Sequence, residues 1–262
     1  MAEEMKEIEE IVGKSGNTFH YKVMTELKSK GWTVLVSPYY NDIISGKARE
    51  IDLIAEKAFP FQTTVGTPGG FIKLRLFIEC KYIAQTTAFW FVDKDMAKAS
   101  DLVIATTPCR PDNSFTNDHH YLTEDNDQVG KLFADAKAKA AENELFFKAL
   151  NQVLNGTIYF RRQPSIIKPP QGRPDFTKFI LSYPVIICNN FDSAYRVDTN
   201  GTDHKAIQAN FQFEMDYAYS GAGQTDISDY FLVDIVSFNL LDEFIQKVEK
   251  DKDLAAFFLN NS

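Results

Sequence analysis

Positive charge is in short supply. The chain has 28 Lys and Arg against 36 Asp and Glu, a formal net charge of −8 over 262 residues. Broad, nonspecific adhesion to nucleic acid needs an excess of cations facing the phosphates, and this balance excludes it. It leaves room for a local basic patch, and for a carboxylate-rich site that holds a divalent cation. Cysteine is scarcer still. Cys80, Cys109 and Cys188 are 3 in number and lack any Cys-x-x-Cys spacing, which excludes a disulfide framework and a cysteine-rich zinc cluster and points to a reducing, cytoplasmic setting. No apolar run approaches the length of a membrane span, so a membrane partner is not expected. The opening residues 1–10 are acidic, without the apolar region of a signal peptide. Internal repeats and long linkers are also missing.

Bulky core-forming residues are plentiful. The 22 Phe and 11 Tyr, within a hydrophobic fraction of 44%, supply a substantial core. One compact domain is the simplest organisation, with a core over residues 15–190 and a C-terminal elaboration over residues 191–262. Phe19, Val23, Met24 and Leu27 make the apolar stripe of a first helix, begun near Asn17 or Thr18 and stopped by Gly31. Strands are expected over residues 33–40 and 50–55, and residues 59–70, rich in Gly and Pro, read as a loop. A third strand spans residues 71–83 and a short helix residues 93–102. Residues 127–154 show three-to-four spacing through Val129, Leu132, Phe133, Ala136, Ala140, Phe147 and Leu150, which predicts a long helix. Residues 161–178 are Pro-rich and read as irregular. Strands at residues 179–188, 211–219 and 230–238 and a last amphipathic helix at residues 240–258 complete the chain.

The third strand carries the informative pattern. Leu74, Leu76, Ile78, Cys80 and Tyr82 share one face, while Arg75, Phe77, Glu79, Lys81 and Ile83 share the other. Ile51-Asp52-Leu53-Ile54 and Phe77-Ile78-Glu79-Cys80-Lys81 each set charge inside a run that otherwise reads as buried strand. An unpaired buried carboxylate costs several kcal/mol, so such residues are paired or bound to metal. With the two strands as neighbours, Asp52, Glu79 and Lys81 converge. Carboxylates hold Mg²⁺ through hard oxygen ligands, the ion activates water and the scissile phosphate, and a lysine orients that water or neutralises charge on the phosphate.

The order helix, strand, Asp-bearing strand, Glu-x-Lys strand, helix resembles the PD-(D/E)XK nuclease superfamily. The matching residues are Asp52, approached through Arg49-Glu50-Ile51, and Glu79-Cys80-Lys81. Phe19, His20, Met24, Leu27, Gly31 and Trp32 resemble the opening of type IV restriction endonucleases and junction resolvases. The resemblance covers roughly residues 15–105. It implies an α/β fold with a restriction-endonuclease-like αβββαβ core, a mixed central sheet flanked by helices, and added C-terminal strands and helix. It implies Mg²⁺-dependent cleavage of DNA, with Mn²⁺ able to substitute. Asp52, Glu79 and the Cys80 backbone carbonyl would be metal ligands, Lys81 would act on the attacking water, and Glu26 would orient the site or hold a second metal. Double-strand cutting uses two active sites, which makes a homodimer the expectation. The sequence departs from the pattern at Ile51, which stands where the family name has proline, and in the long interval between Asp52 and Glu79.

Each signal has a plainer alternative. Glu26 lies four residues after Lys22 and fits a surface ion pair as well as a site. His119-His120, among Asp118, Glu124, Asp125 and Asp127, reads as a solvated loop rather than a metal site, and Cys80 as a small core residue on the face opposite Glu79. Arg161, Arg162, Lys168 and Arg173 form the clearest basic segment, suited to track a phosphate backbone or equally to an ordinary surface loop. The competing function is a catalytically inactive nuclease-fold protein that acts as a nucleic-acid-binding or assembly module.

Overall fold

A computed structural model describes residues 16–42, 46–123, 127–136, 145–169, 171, 174–198, 203–220 and 226–261, together with Met5, Ile8 and Val12. Helix α1 (Asn17–Ser29) buries Phe19, Val23 and Leu27, the stripe read from the sequence. Each such side chain contributes about 1.5–3 kcal/mol relative to exposure. Gly31, at φ 81°, ends the helix: its N–H reaches the Lys28 carbonyl at 3.0 Å and the Trp32 N–H reaches that of Leu27 at 3.1 Å. The left-handed residue that closes this motif is one that glycine adopts without strain.

Strands β1 (Thr33–Val36), β4 (Leu53–Gln62) and β5 (Pro68–Lys81) form an antiparallel meander. A small hairpin of β2 (Tyr39–Asn41) and β3 (Ala48–Glu50) interrupts it. The chain then builds β6 (Thr87–Asp93), α2 (Met96–Thr106), β7 (Gln128–Asp135) and α3 (Leu145–Phe160) before β8 (Thr177–Cys188) returns parallel to β5. The remaining elements are β9 (Ala194–Val197), β10 (His204–Ala206), β11 (Phe211–Ser220), β12 (Asp226–Ser237) and α4 (Leu241–Asn260). Among the described residues the main sheet runs β1-β4-β5-β8-β12-β11-β7-β6-β9-β10, a mixed sheet because β5, β8 and β12 are mutually parallel while β12 and β11 are antiparallel. Helices α1, α2 and α4 cover one face over Leu74, Leu76, Ile78 and Cys80. Helix α3 covers the other over Ile54, Phe77 and Ile186. Two apolar layers on an alternating sheet are what the two-residue period of β5 requires.

Several elements differ from the sequence-based expectation. The Gly- and Pro-rich residues 59–70 are no loop but the turn and flanks of a hairpin, with Phe59 opposite Ile72 and Pro60 opposite Phe71. Pro60 is tolerated because β1 pairs only with residues 53–56 of β4, so the edge at Pro60 has no neighbour that needs its missing N–H. The long helix over residues 127–154 is a strand, β7, followed by a helix beginning at Leu145; residues 137–144 lie outside the described set. Leu132, counted in the helical stripe, is 64% exposed. Pairing with β6 and β11 gives the physical reason, and Gly130 lets β11 approach, for a Cβ there would stand 2.8 Å from the Phe213 ring. The helix after β5 runs from Met96 rather than residue 93, capped by the Asp95 side chain on the Lys98 N–H, and β6 precedes it. The C-terminal segment is less peripheral than expected, since β12 lies beside β8 in mid-sheet.

His119 and His120 are not in a solvated loop. They are 1% and 2% exposed, packed between β12 and α4. The His120 Nδ1 meets Asp251 Oδ2 and its Nε2 lies 3.4 Å from Asp234 Oδ2. The Tyr183 hydroxyl donates to Asp251 at 2.8 Å. Burial opposes a charge on His120, but Asp251 and Asp234 outweigh it and raise its pKa to about 9. Burial drives His119 down to about 4. Burial also acts to raise Asp251, yet the two histidines, His120 foremost, bring it to about 2. A buried imidazolium between two carboxylates thus ties α4 to the sheet. Its partners are not the flanking acidic residues that suggested solvent but Asp234 and Asp251, brought in from β12 and α4.

Candidate active site

In the β4–β5 register Leu53 faces Ile78, which sets Asp52 opposite Glu79 just where the ladder ends. At that point the two carboxylates take the backbone amides of Cys80 and Asp52. The Cys80 N–H donates to Asp52 Oδ2 at 2.7 Å and the Asp52 N–H to Glu79 Oε1 at 3.3 Å. Lys81 Nζ donates to Glu79 Oε2 at 2.9 Å. Asp52 is 7% and Glu79 0% exposed, and the Lys81 side chain retains 16%. Gly156 on α3 keeps this end of β4 seated, because a Cβ there would come within 2.9 Å of Ile51 Cδ1. Beyond β5, Asn189 clasps the strand exit: its N–H donates to the Lys81 carbonyl at 3.1 Å and its side chain accepts from the Ile83 N–H at 2.6 Å.

Electrostatics follow from this burial. Desolvation, with a further push from Asp52, raises Glu79 to about 8 even though Lys81 pulls the other way. For Lys81, burial opposes the charge but Glu79 and Asp52 overcome it, and its pKa is raised. Burial thus works against the carboxylate form of Glu79, a penalty that a nearby cation relieves.

Helix α1 contributes a residue the sequence did not single out for chemistry. His20 Nε2 lies 3.3 Å from Asp52 Oδ2, with the imidazole 24% exposed. Glu26, the residue expected from this helix, points elsewhere. It pairs with Lys30 at 3.0 Å, and Lys30 also meets Asp242 at 2.6 Å. At about 100° per residue His20 and Glu26 flank opposite borders of the Phe19–Val23–Leu27 stripe, so only one of them can face β5. The signal for His20 was its place on that stripe's other border. On the same side as His20 stands the Cys80 thiol, in the core layer expected for it.

The basic segment lies apart from this cluster. Residues 160–167 are pinned to β5 by Arg75, which donates to the Phe160, Gln163 and Pro164 carbonyls, and by Lys73, which donates to Ser165 and Ile167. Arg75 precedes Glu79 by four positions, roughly 13 Å along a strand. Arg161 is committed to Asp229 at 2.9 Å, Arg162 and Lys168 are exposed, and Arg173 lies outside the described residues. Arg161 and Arg162 help line a cavity of about 720 Å³ against the early halves of β8 and β12, at the end of the strands away from Lys81.

Among the described residues, two groups of His, Cys, Asp or Glu hold donor atoms within 4.8 Å of one another: His20, Asp52 and Cys80, and His119, His120 and Asp251. The second is poorly suited to a metal. The His119 Nδ1 accepts the Tyr121 N–H at 3.1 Å, which leaves the proton on Nε2 and no lone pair there for an ion. No family model matches this chain, and neither a curated protein nor a solved structure does.

Proposed function

We propose that the chain is a metal-dependent phosphodiesterase acting on DNA, an endonuclease with Asp52, Glu79 and Lys81 at its centre. The observation that carries the reading is the convergence of two buried carboxylates and an ammonium at the end of the β4–β5 ladder. Helix α1, the meander β1-β4-β5 and a parallel β8 reached through α2 and α3 are compatible with the αβββαβ order implied by the resemblance to PD-(D/E)XK nucleases, with the hairpin β2-β3 and strands β6 and β7 as additions to it.

The donor set fits Mg²⁺. Asp52 and Glu79 offer hard oxygens, and Glu79 is a buried carboxyl pushed to about 8 chiefly by desolvation, a group that a divalent cation would ionise. In this reading Asp52, Glu79 and the Cys80 carbonyl hold the ion, which when bound supplies Lewis-acid activation of phosphate and water. Lys81 lies on the open side of Glu79 and holds the attacking water in line. Its ammonium also offsets charge gathering on the phosphate oxygens. Asn189 keeps the strand exit, and with it Lys81, in place. DNA is the expected partner, in keeping with the resemblance. Among the described residues no helix is long and apolar enough to cross a membrane.

One observation favours a second reading, an inactive nuclease-fold module. Both Glu79 oxygens already have partners, Lys81 and the Asp52 amide. A plasmid-nicking assay with Mg²⁺ or Mn²⁺ separates the two. The proposal expects cleavage by the wild type and its loss in Lys81→Ala and Asp52→Asn. Equal cleavage by wild type and Lys81→Ala sinks the site. Calorimetry that finds no Mn²⁺ binding sustained by Asp52 favours the inactive module.

A further inference from the structure

We infer that His20, Asp52 and Cys80 form a second cation site, selective for a soft, tetrahedral-preferring ion such as Zn²⁺, on the α1 side of the sheet. One nitrogen, one oxygen and one sulfur donor lie within 4.8 Å of one another. The His20–Asp52 separation of 3.3 Å matches the edge of a tetrahedron with metal–ligand bonds of about 2.0–2.1 Å. Sulfur and imidazole select Zn²⁺ or Co²⁺ over Mg²⁺, which keeps to oxygen. The three donors come from three elements, α1, the start of β4 and β5, so the site is set by the fold and not by a local turn. The partial exposure of His20 gives an ion a way in and leaves a fourth position for water, while Cys80 at 4% exposure guards the sulfur from other chemistry. On binding, the Cys80 thiol gives its proton to solvent and the thiolate ligates the ion.

Asp52 is common to this site and to the Asp52–Glu79 pair. A soft ion on the α1 side therefore draws Asp52 away from Mg²⁺. This second statement rests on the proposed nuclease reading, whereas the site itself does not.

Cobalt titration tests the site. Stoichiometric Co²⁺ added to the wild type should produce a thiolate-to-cobalt charge-transfer band in the near ultraviolet, with the visible bands of a tetrahedral ion. The charge-transfer band should vanish in Cys80→Ser, survive in Cys188→Ser, and need at least about tenfold more Co²⁺ in His20→Ala, a loss of the size seen when a metal site is deprived of support. Glu79→Gln should keep it. His20 is only half-buried, so its variant stays informative even where Cys80→Ser folds poorly by circular dichroism. No thiolate band in the wild type, a band that persists in Cys80→Ser, an unchanged affinity in His20→Ala, or loss in Glu79→Gln each overturns the inference. Zn²⁺ at stoichiometric concentration should also slow Mg²⁺-supported cleavage, and undiminished cleavage rejects the coupling. Wild type that fails to cleave with Mg²⁺ alone sinks the nuclease reading and leaves the cobalt result standing. Cleavage without a thiolate band sinks only the soft-ion site.

Discussion

Strands β4 and β5 bury two sets of opposite charges, and the sets are built differently. At mid-strand Glu56 and Arg75 sit directly opposite each other, at 0% and 2% exposure. Every arm of that pair is occupied. Arg75 donates to Glu56 and to three backbone carbonyls, and Glu56 also accepts from Ser165 and the Ile167 amide. At the strand end both Glu79 oxygens are also partnered, by Lys81 and the Asp52 amide, but Lys81 and the His20 beside Asp52 keep some exposure. A saturated pair is a fastener. The strand-end cluster, with a carboxyl held up to about 8 by burial, is a place where stability has been given up, and such places are where chemistry is usually found.

The largest test of that contrast is Arg75→Ala. It strands a fully buried carboxylate and frees residues 160–167, and should cost about 3–5 kcal/mol in urea unfolding. Cleavage per folded molecule should change little. Glu79→Gln should do the reverse. Cleavage falls at least about 100-fold, the scale of removing one positioned catalytic group. The folded pKa of Glu79 is raised, so its contribution is complete below about 4.5 and is lost as pH rises through about 8. Without metal, Glu79→Gln should therefore be more stable than wild type at pH 8, by up to about 4 kcal/mol, and the gain should disappear at pH 4.

A smaller effect sharpens the comparison at a third charged cluster. His120 is raised to about 9 from 6.5, so its stabilisation is full below about 6.5 and lost as pH climbs through 9. Melting temperature measured in a Glu79→Gln background should decline over that window, and His120→Gln should flatten the decline. Smallest of all is the half-exposed Lys57–Glu249 bridge at 2.7 Å. A double-mutant cycle should give less than about 1 kcal/mol, vanishing in high salt. A larger value would mean that closure, not burial, governs what an ion pair is worth here.

The charged cluster was legible because charge inside an apolar strand is conspicuous, and because Glu79 and Lys81 share a face by simple alternation. The fourth residue beside it, His20 from α1, was not. Whether His20 or Glu26 faces β5 depends on how the helix is rolled against the sheet, which packing at Phe19, Val23 and Leu27 decides. The β7 segment misled for a related reason: Val129 and Phe133 fit both periods, and only pairing with β6 and β11 chooses between them. His119 and His120 were obscured by partners more than a hundred residues away, Asp234 and Asp251, that no local window contains. Pro60 hid a strand whose edge happens to be free.

The position of β12 has a consequence for the life of the protein. Strand β8, which backs Glu79 and Lys81 through the pairs Glu79–Ile186 and Lys81–Cys188, is itself covered on its far side only when β12 arrives. On a ribosome, a chain halted short of β12 leaves the far edge of β8, with its apolar run Val185 to Ile187, unpaired.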